Sequence, residues 1–168
     1  FRVWQDKEDT ATVALSTQTA ALRYNDPGQI ALERSTIVQS VNNLADRGGW
    51  GKNQREFEVG VRVSAMHKGV LAAMMADDPT SAREYLTTNN GEMTNGDQAV
   101  VEKSLKVEET KVKAYESFDG IRDPDKTYTT QVDEARQIED PDVRKMTVQL
   151  IDEDFARQKR IEAAEKTA

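Results

Sequence analysis

The chain has 168 residues, of which 37% are hydrophobic and 32% charged, enough to build one domain or two small helical lobes. Its net charge of −7, with bases interleaved among acids, argues against direct binding to nucleic acid, which needs a basic stripe. The absence of cysteine excludes disulfides, thiolate nucleophiles and cysteine metal sites, and no apolar run approaches the roughly 20 residues that span a bilayer.

The four prolines divide the chain, because each follows an aspartate and each Asp-Pro pair predicts a helix start. An aspartate accepts hydrogen bonds from the free N–H groups of a first turn, and proline tolerates the first helical position because its missing N–H has no partner there. The pairs are Asp26-Pro27, Asp78-Pro79, Asp123-Pro124 and Asp140-Pro141.

The first two helices are predicted over about residues 6–24 and from Pro27 to the glycines at 48 and 49. In the first, we expect a core-facing side made of Val13, Leu15, Ala20, Ala21 and Leu22. In the second, apolar residues recur at spacings of seven, four and three, as on one face of a helix. These residues are Ile30, Ile37, Val41 and Leu44.

The third helix is predicted over about residues 53–76, although its first part also resembles a strand. Phe57, Val59, Val61 and Val63 alternate with polar residues or glycine, as in a half-buried strand. We favour helix, because the apolar spacing also fits a helix and no second strand candidate exists to pair with it.

Four more helices complete the pattern. They are predicted from Pro79 to about Asn89, from Thr94 or Asn95 to Gly120, from about Lys126 to Ile138, and from Pro141 into a charged, solvated end beyond Arg157. In the long fifth helix, we expect the core residues to be Val100, Val101, Leu105, Val112, Tyr115 and Phe118. The basic residues of the C-terminal end, Arg157, Lys159, Arg160 and Lys166, alternate with acids, which is typical of a solvated helix face.

The predicted fold is all-α, an irregular antiparallel bundle or helical-hairpin array of about seven helices. We expect a bundle over residues 1–120 and a C-terminal hairpin over 121–168, or one continuous domain. The start at Phe1 and the charged end suggest part of a longer protein. The Asp-Pro pairs recur at irregular intervals, so a regular solenoid of the tetratricopeptide kind is not established.

The chain shows no pattern for catalysis, cofactor binding or metal binding, and we expect a protein that is not an enzyme. His67, the only histidine, lacks a second ligand four residues away and is expected to be partly exposed or packed between helices. No nucleophile-elbow motif surrounds a serine such as Ser64, although sequence order alone leaves a Ser-His-Asp arrangement open. Glu33-Arg34-Ser35 resembles the Glu-Ser pair of lytic transglycosylases only by chance.

One segment has the spacing of a calcium-binding loop, but we reject it as a calcium site. Its sixth position is Tyr128, where the turn requires glycine, and its eighth is Thr130, where an apolar residue normally packs. The residues at the ligand positions are Asp123, Asp125, Thr127, Thr129, Gln131 and Glu134.

Three residues are candidate contacts for a protein partner. Trp50 lies in a glycine-rich turn, where folding back over the edge of the core is the favoured interpretation and a partner contact the alternative. Tyr85 and Asn89, one turn apart on the predicted fourth helix, are the other two, and they would line a concave groove if the helices formed one.

The stretch from Gly69 to Lys106 resembles a helical module of tailed-bacteriophage virion proteins. The shared features are Asp78-Pro79, Ala82 with Tyr85, Asn89 and Leu105, and the segment from Ala135 through Asp140-Pro141 to Phe155 is similar to the piece that often follows. Together they cover somewhat under half of the chain, and none of these residues is catalytic.

The resemblance implies an internal virion, tail or DNA-ejection component, located in the particle or in the host cytoplasm during assembly. Its expected partners are other virion proteins or copies of itself, held by contacts between helices. Two alternatives stay open: a tetratricopeptide-like adaptor that binds a peptide, and a fragment of a peptidoglycan hydrolase.

Overall fold

The computed structural model describes residues 2–166 and confirms the all-α prediction, since no strand occurs among them. Within these residues, seven α-helices and one short 3₁₀ turn follow one another. They are α1 (Arg2–Leu22), α2 (Pro27–Gly48), α3 (Lys52–Asp77), α4 (Pro79–Asn89), the turn Asn90–Glu92, α5 (Asn95–Ile121), α6 (Tyr128–Ala135) and α7 (Pro141–Glu165).

Three of the four Asp-Pro pairs begin helices as predicted. The carboxylates of Asp26, Asp78 and Asp140 accept hydrogen bonds from backbone N–H groups of the first turns of α2, α4 and α7, and a proline occupies the first helical position of each. These side chains satisfy donors that a helix start would otherwise leave free.

The prediction for Asp123-Pro124 was wrong, because no helix starts there. Asp123 accepts a hydrogen bond from the N–H of Asp125, which closes a tight turn, and its carbonyl oxygen accepts another from the buried amide of Gln131. The helix begins only at Tyr128, where Thr127 is the N-cap and accepts from the N–H of Thr130. A local turn has therefore replaced the expected cap.

The possible strand around Phe57 is part of a helix, as we favoured. It lies inside α3, and Val63 is buried there. Phe57 itself is exposed, so the alternation of apolar residues does not define the buried face. α2 ends just before Gly49, whose φ of 66° is in the left-handed region and whose N–H reaches the carbonyl oxygens of Ala45 and Asp46.

The residues up to Lys106 form one compact unit. Helices α1, α2 and α3 pack against one another, and α4 packs on α3. Arg47, near the end of α2, binds Asp6 and Asp9, near the start of α1, so these two helices run antiparallel. The core of the three helices consists of Val13, Ala20, Ile30, Ile37, Val41, Val63, Met66 and Val70.

A second core cluster in this unit joins the end of α3 to α4 and to the first part of α5. Leu71 and Leu105 are fully buried in it. Its other members are Met75, Ala82, Leu86, Met93 and Val101. α4 is thereby fixed against α3 by apolar packing on the side that faces away from solvent.

The residues from Val107 onward form the second unit, so the division falls inside α5 and earlier than the predicted boundary at residue 120. Phe118 on α5, Val132 and Ala135 on α6 and Ile151 on α7 make its core. Because the last part of α5 contributes to this core, it belongs with α6 and α7. The end of α7 beyond Arg157 is mostly exposed, as predicted.

Several apolar residues assigned to the core from sequence are on the surface instead. Leu15 and Leu22 of α1 are 63% and 72% exposed, and Val100, Val112 and Tyr115 of α5 are exposed as well. In α1, the residues that face α2 and α3 are Val13, Ser16 and Ala20, which lie on the other side of the helix. Across residues 2–166, we find no helix with the length and apolar character needed to cross a membrane.

Candidate functional site

A groove of about 580 Å³ lies in the first unit and is lined by residues of α2, α3 and α4 and their neighbouring turns. We call it the α2–α4 groove. It has apolar walls, and we call its polar part, centred on the buried His67, the floor. Its lining consists of Tyr24, Pro27, Ile30, Ala31, Arg34, His67, Met74, Ser81, Glu84, Tyr85, Thr88, Asn89 and Glu92.

Four polar side chains from different elements form a continuous hydrogen-bonded chain along the groove. Arg34 donates to both carboxylate oxygens of Glu92, from Nε to Oε2 and from Nη2 to Oε1, at 2.6 Å each. Glu92 Oε2 is also 3.0 Å from Nε2 of His67, whose Nδ1 is 2.7 Å from the hydroxyl of Tyr85. The bidentate contact with Arg34 fixes the carboxylate in one orientation.

The pKa shifts of His67, Glu92 and Tyr85 indicate which of these side chains carries a proton at pH 7. Burial lowers the pKa of His67 despite the opposing effect of Glu92, so the imidazole is neutral at pH 7. The hydrogen bond from Arg34 lowers the pKa of Glu92, which is therefore an ionised acceptor. The proton of His67 then lies on Nε2 and points to Glu92, and Tyr85 donates to Nδ1. Burial raises the pKa of Tyr85 to about 12, which keeps its hydroxyl protonated.

His67 is only 2% exposed, so of the two expected positions it takes the one packed between helices. It also has polar partners. Both of its ring nitrogens are engaged by Tyr85 and Glu92, and Ser64 is not among its partners. The Ser-His-Asp arrangement that the sequence left open is therefore not assembled at this histidine.

The sequence also contains a signal for Arg34 and His67, although neither was predicted as a site residue. Arg34 lies on the apolar stripe of α2, four residues after Ile30 and three before Ile37, and His67 lies on that of α3, between Val63 and Val70. A polar residue on a core-facing stripe is costly to bury unless another polar group meets it. Two such residues on neighbouring helices therefore indicate a shared polar site.

Two of the three predicted contact residues, Tyr85 and Asn89, line the α2–α4 groove. Asn89 donates from its amide to the carbonyl oxygen of Tyr85, one turn earlier in α4. Trp50 lies outside this groove. It packs against the core of α1, α2 and α3, and its ring is so close to Gly48 that no Cβ would fit there, in agreement with the favoured interpretation that it folds back.

The rim of the groove is acidic. Glu84 is exposed, and no described residue forms an ion pair with its carboxylate, whereas Glu92 is neutralised by Arg34. At the same groove, the hydroxyl of Tyr24 donates to Asp77 at 2.6 Å. Glu84 is therefore the lining residue whose charge is available to a partner.

Ser64 has a structural contact elsewhere in the unit. Its hydroxyl donates to Asp97 at 2.6 Å and accepts from the backbone N–H of Thr94 at 2.9 Å, and Lys68 binds the other oxygen of Asp97 at 2.7 Å. These contacts join α3 to the start of α5. The bond to Lys68 and the hydroxyl of Ser64 lower the pKa of Asp97.

The segment with calcium-loop spacing uses its side chains for contacts within the protein. Glu134, at the last ligand position, binds Lys126 at 2.8 Å, and Gln131 is buried and donates to the backbone of Asp123. Over the described part of the chain, no group of three or more histidine or acidic residues is arranged to hold a metal ion. Glu33, of the chance match to transglycosylases, accepts a hydrogen bond from Gln29 on the same helix.

Comparison of the chain with protein-family models, with curated proteins and with solved structures finds no match in any of the three.

Proposed function

We propose that this chain is a non-catalytic assembly domain of a tailed-phage particle and that it binds a segment of another virion protein in the α2–α4 groove. The observation that carries the binding is the combination of apolar walls with an unneutralised carboxylate, Glu84, at the rim. The assignment to a phage particle is supported by the resemblance of residues 69–106 to helical modules of virion proteins.

The polar floor of the groove supports binding rather than catalysis. His67 would be the natural general base, but its two nitrogens are already bonded to Tyr85 and Glu92. Glu92 is in turn held by Arg34. A network in which every member is satisfied stabilises one geometry of the groove, and Arg34, His67, Tyr85 and Glu92 are all engaged in it.

The residues that line the groove indicate which side chains its partner should carry. Pro27, Ile30, Ala31 and Met74 provide an apolar surface that suits an aliphatic side chain such as leucine. Glu84 favours a lysine or arginine close to it, since opposite charges at a rim attract and like charges repel. The expected ligand is therefore a protein segment in which an aliphatic residue is followed by a basic one.

Binding of short peptides tests this proposal. Fluorescently labelled peptides in which one leucine is followed, at varied spacing, by one lysine should bind, and peptides with glutamate in place of the lysine should not. Glu84→Lys should weaken binding about tenfold or more, because it places like charges together. The matched control is Glu116→Lys, at an exposed position of α5 in the second unit. Equal loss in both variants, or equal binding of both peptide types, would contradict the proposal.

The location in a phage particle has its own test. Particles purified from cells that encode this chain should contain its tryptic peptides in constant ratio to the other virion proteins after density-gradient centrifugation. Recovery of the chain only in the fractions without particles would contradict the phage assignment and leave the groove unaffected.

The same groove supports a second function, that of a peptide-binding adaptor resembling tetratricopeptide proteins. The observation in its favour is that Tyr85 and Asn89 lie together in a concave surface between helices. The two functions differ in the partner: binding of the leucine–lysine peptides together with absence from particles would favour the adaptor.

A further inference from the structure

A second groove adjoins the α2–α4 groove in the first unit, between α2 and the first half of α3. It encloses about 320 Å³, and we call it the α2–α3 groove. Val59, Gly60 and Val63 of α3 line it on one side, and Asn42 of α2 lines it on the other. Val63 is buried and Val59 is half-buried, so the base of this groove is apolar.

The two grooves are continuous with each other because they share lining residues. Arg34 and Glu92 line both grooves, and the side chains of this ion pair are 41% and 40% exposed at the junction. On α3, Gly60 of one groove and His67 and Met74 of the other are spaced by seven residues, which places them on one side of the helix. The two grooves are therefore two parts of one cleft.

The length of the combined cleft sets the length of the segment that fits it. The cleft extends on α2 from Pro27 to Asn42 and on α3 from Met74 to Val59. Both stretches are about 22 Å long, from the rise of 1.5 Å per residue, as expected for antiparallel helices that flank one cleft. An extended polypeptide advances about 3.3 Å per residue, so about seven residues fill this length.

Two polar side chains in the cleft have hydrogen-bonding groups that no described residue uses. Asn42 is half-buried, and its amide is bonded to no side chain or backbone group among residues 2–166. Arg34 uses Nε and one N–H of Nη2 to bind Glu92, which leaves other N–H groups of its guanidinium without a partner in the described chain.

These free groups favour an extended ligand over a helical one. The amide of Asn42 offers a donor and an acceptor, and Arg34 offers donors, which match the C=O and N–H groups of a peptide backbone. A helix has already bonded most of its own backbone groups, whereas an extended segment leaves them available.

We propose that the cleft binds one extended protein segment of about seven residues, which passes from the α2–α4 groove across the Arg34–Glu92 pair into the α2–α3 groove. This inference rests on the binding proposed for the α2–α4 groove and adds the length and conformation of the ligand. Asn42 bonds the backbone of the added part. Gly60 leaves room for one of its side chains, since a Cβ at this position would meet nothing within 4 Å.

Peptides of increasing length test the proposal. The shortest leucine–lysine peptide that binds is extended with alanine and serine, in one series before the leucine and in a second series after the lysine. Fluorescence anisotropy then measures the affinity of each peptide. In one of the two series, the affinity should rise about tenfold or more until the peptide has about seven residues, and further residues should add nothing because the cleft is full.

Two variants place the added part of the peptide in the α2–α3 groove. Gly60→Leu fills this groove without a clash, and Asn42→Ala removes the free amide. Each should reduce the affinity of the long peptide toward that of the short one and leave the short one unchanged. Gly120→Leu is the matched control, since Gly120 lies in α5 in the second unit and a Cβ there also meets nothing within 4 Å. Far-UV circular dichroism verifies that the variants stay folded.

Methylation of single backbone nitrogens tests the extended conformation. In the added part of the long peptide, one methylated position should lower the affinity about tenfold, because it removes the N–H that the carbonyl oxygen of Asn42 accepts. The circular dichroism of the peptide should show no helical signal on binding. A gain in helical signal would identify a helical occupant and overturn the proposal.

The outcomes separate this inference from the proposed function. Equal affinity of the short and long peptides, or a gain with length that persists in Gly60→Leu and Asn42→Ala, would overturn the longer cleft and leave binding in the α2–α4 groove intact. Absence of binding by every peptide, or binding that Glu84→Lys does not weaken, would contradict the proposed function and the longer cleft with it.

Discussion

Leu71→Ala is expected to lower the free energy of unfolding by about 2–5 kcal/mol, since it leaves a cavity in the second core cluster. Leu71 is fully buried on α3, where it packs with residues of α4 and α5. A loss of this size is a large fraction of the about 5–15 kcal/mol that stabilises most domains. Urea unfolding followed by far-UV circular dichroism measures it.

The matched control for this prediction is Leu32→Ala, which makes the same chemical change at an exposed position. Its cost should be within about 0.5 kcal/mol, as for surface substitutions in general. If both variants lost the same free energy, α3 and α4 would not share the apolar contact that fixes the floor of the groove.

Stability is expected to decrease as the pH falls below the ordinary pKa of histidine, and His67 is the cause. Burial lowers its pKa in the folded chain, so the unfolded chain binds a proton at a higher pH than the folded one does. The stabilisation is then complete above about pH 6.5 and is lost as the pH falls toward the folded pKa, with a slope of at most about 1.4 kcal/mol per pH unit.

This dependence can be isolated because His67 is the only histidine, and no other side chain ordinarily titrates between pH 5.5 and 8. In His67→Gln, the free energy of unfolding should be constant over that range, as measured by urea unfolding at each pH. Tyr85→Phe is the control that keeps the histidine but removes its hydrogen-bond donor, at a cost of about 1–3 kcal/mol. An unchanged slope in His67→Gln would show that His67 does not control this part of the pH profile.

The size of the shift in the pKa of His67 depends on groups from three elements. Burial on α3 lowers the pKa of His67 and is the largest effect. Glu92 in the 3₁₀ turn raises this pKa, and Arg34 on α2 lowers it through its charge. At lower pH, Glu92 adds a second loss: its pKa is lowered in the fold, so its stabilisation is present above the ordinary range of glutamate and disappears as the pH falls through the folded pKa.

The helices could be predicted from sequence because their ends depend on local chemistry. Asp26, Asp78 and Asp140 cap helices through hydrogen bonds within three residues, so a short motif contains the whole interaction. No helix starts at Asp123, because its carboxylate closes a turn with Asp125 and its carbonyl oxygen binds Gln131, which lies eight residues further on. A motif of two residues cannot include that competing contact.

The buried faces were less predictable where a helix is apolar on both sides. In α1, Leu15 and Val13 are equally good core candidates by composition, and only the positions of α2 and α3 decide that Val13 is buried and Leu15 exposed. Both sets of apolar residues were visible in the sequence, but periodicity alone does not say which of them faces the core.

The polar site was only partly predictable. Tyr85 and Asn89 could be linked to a groove because they are one turn apart on one helix. Arg34, His67 and Glu92 come together from positions far apart in the sequence, so their contacts depend on how α2, α3 and the 3₁₀ turn pack. The two polar residues on apolar stripes, Arg34 and His67, are the features from which the site could have been inferred.

A single imidazole at the floor of a groove is also a built-in spectroscopic reporter. Because no second histidine contributes signals, the ring nitrogens of His67 give one pair of ¹⁵N resonances whose positions distinguish the Nε2–H tautomer from the Nδ1–H form and from the cation. Any molecule that enters the groove and competes for Tyr85 or Glu92 will displace those resonances, so occupancy can be followed on the ¹⁵N-enriched chain without substitutions or an attached probe.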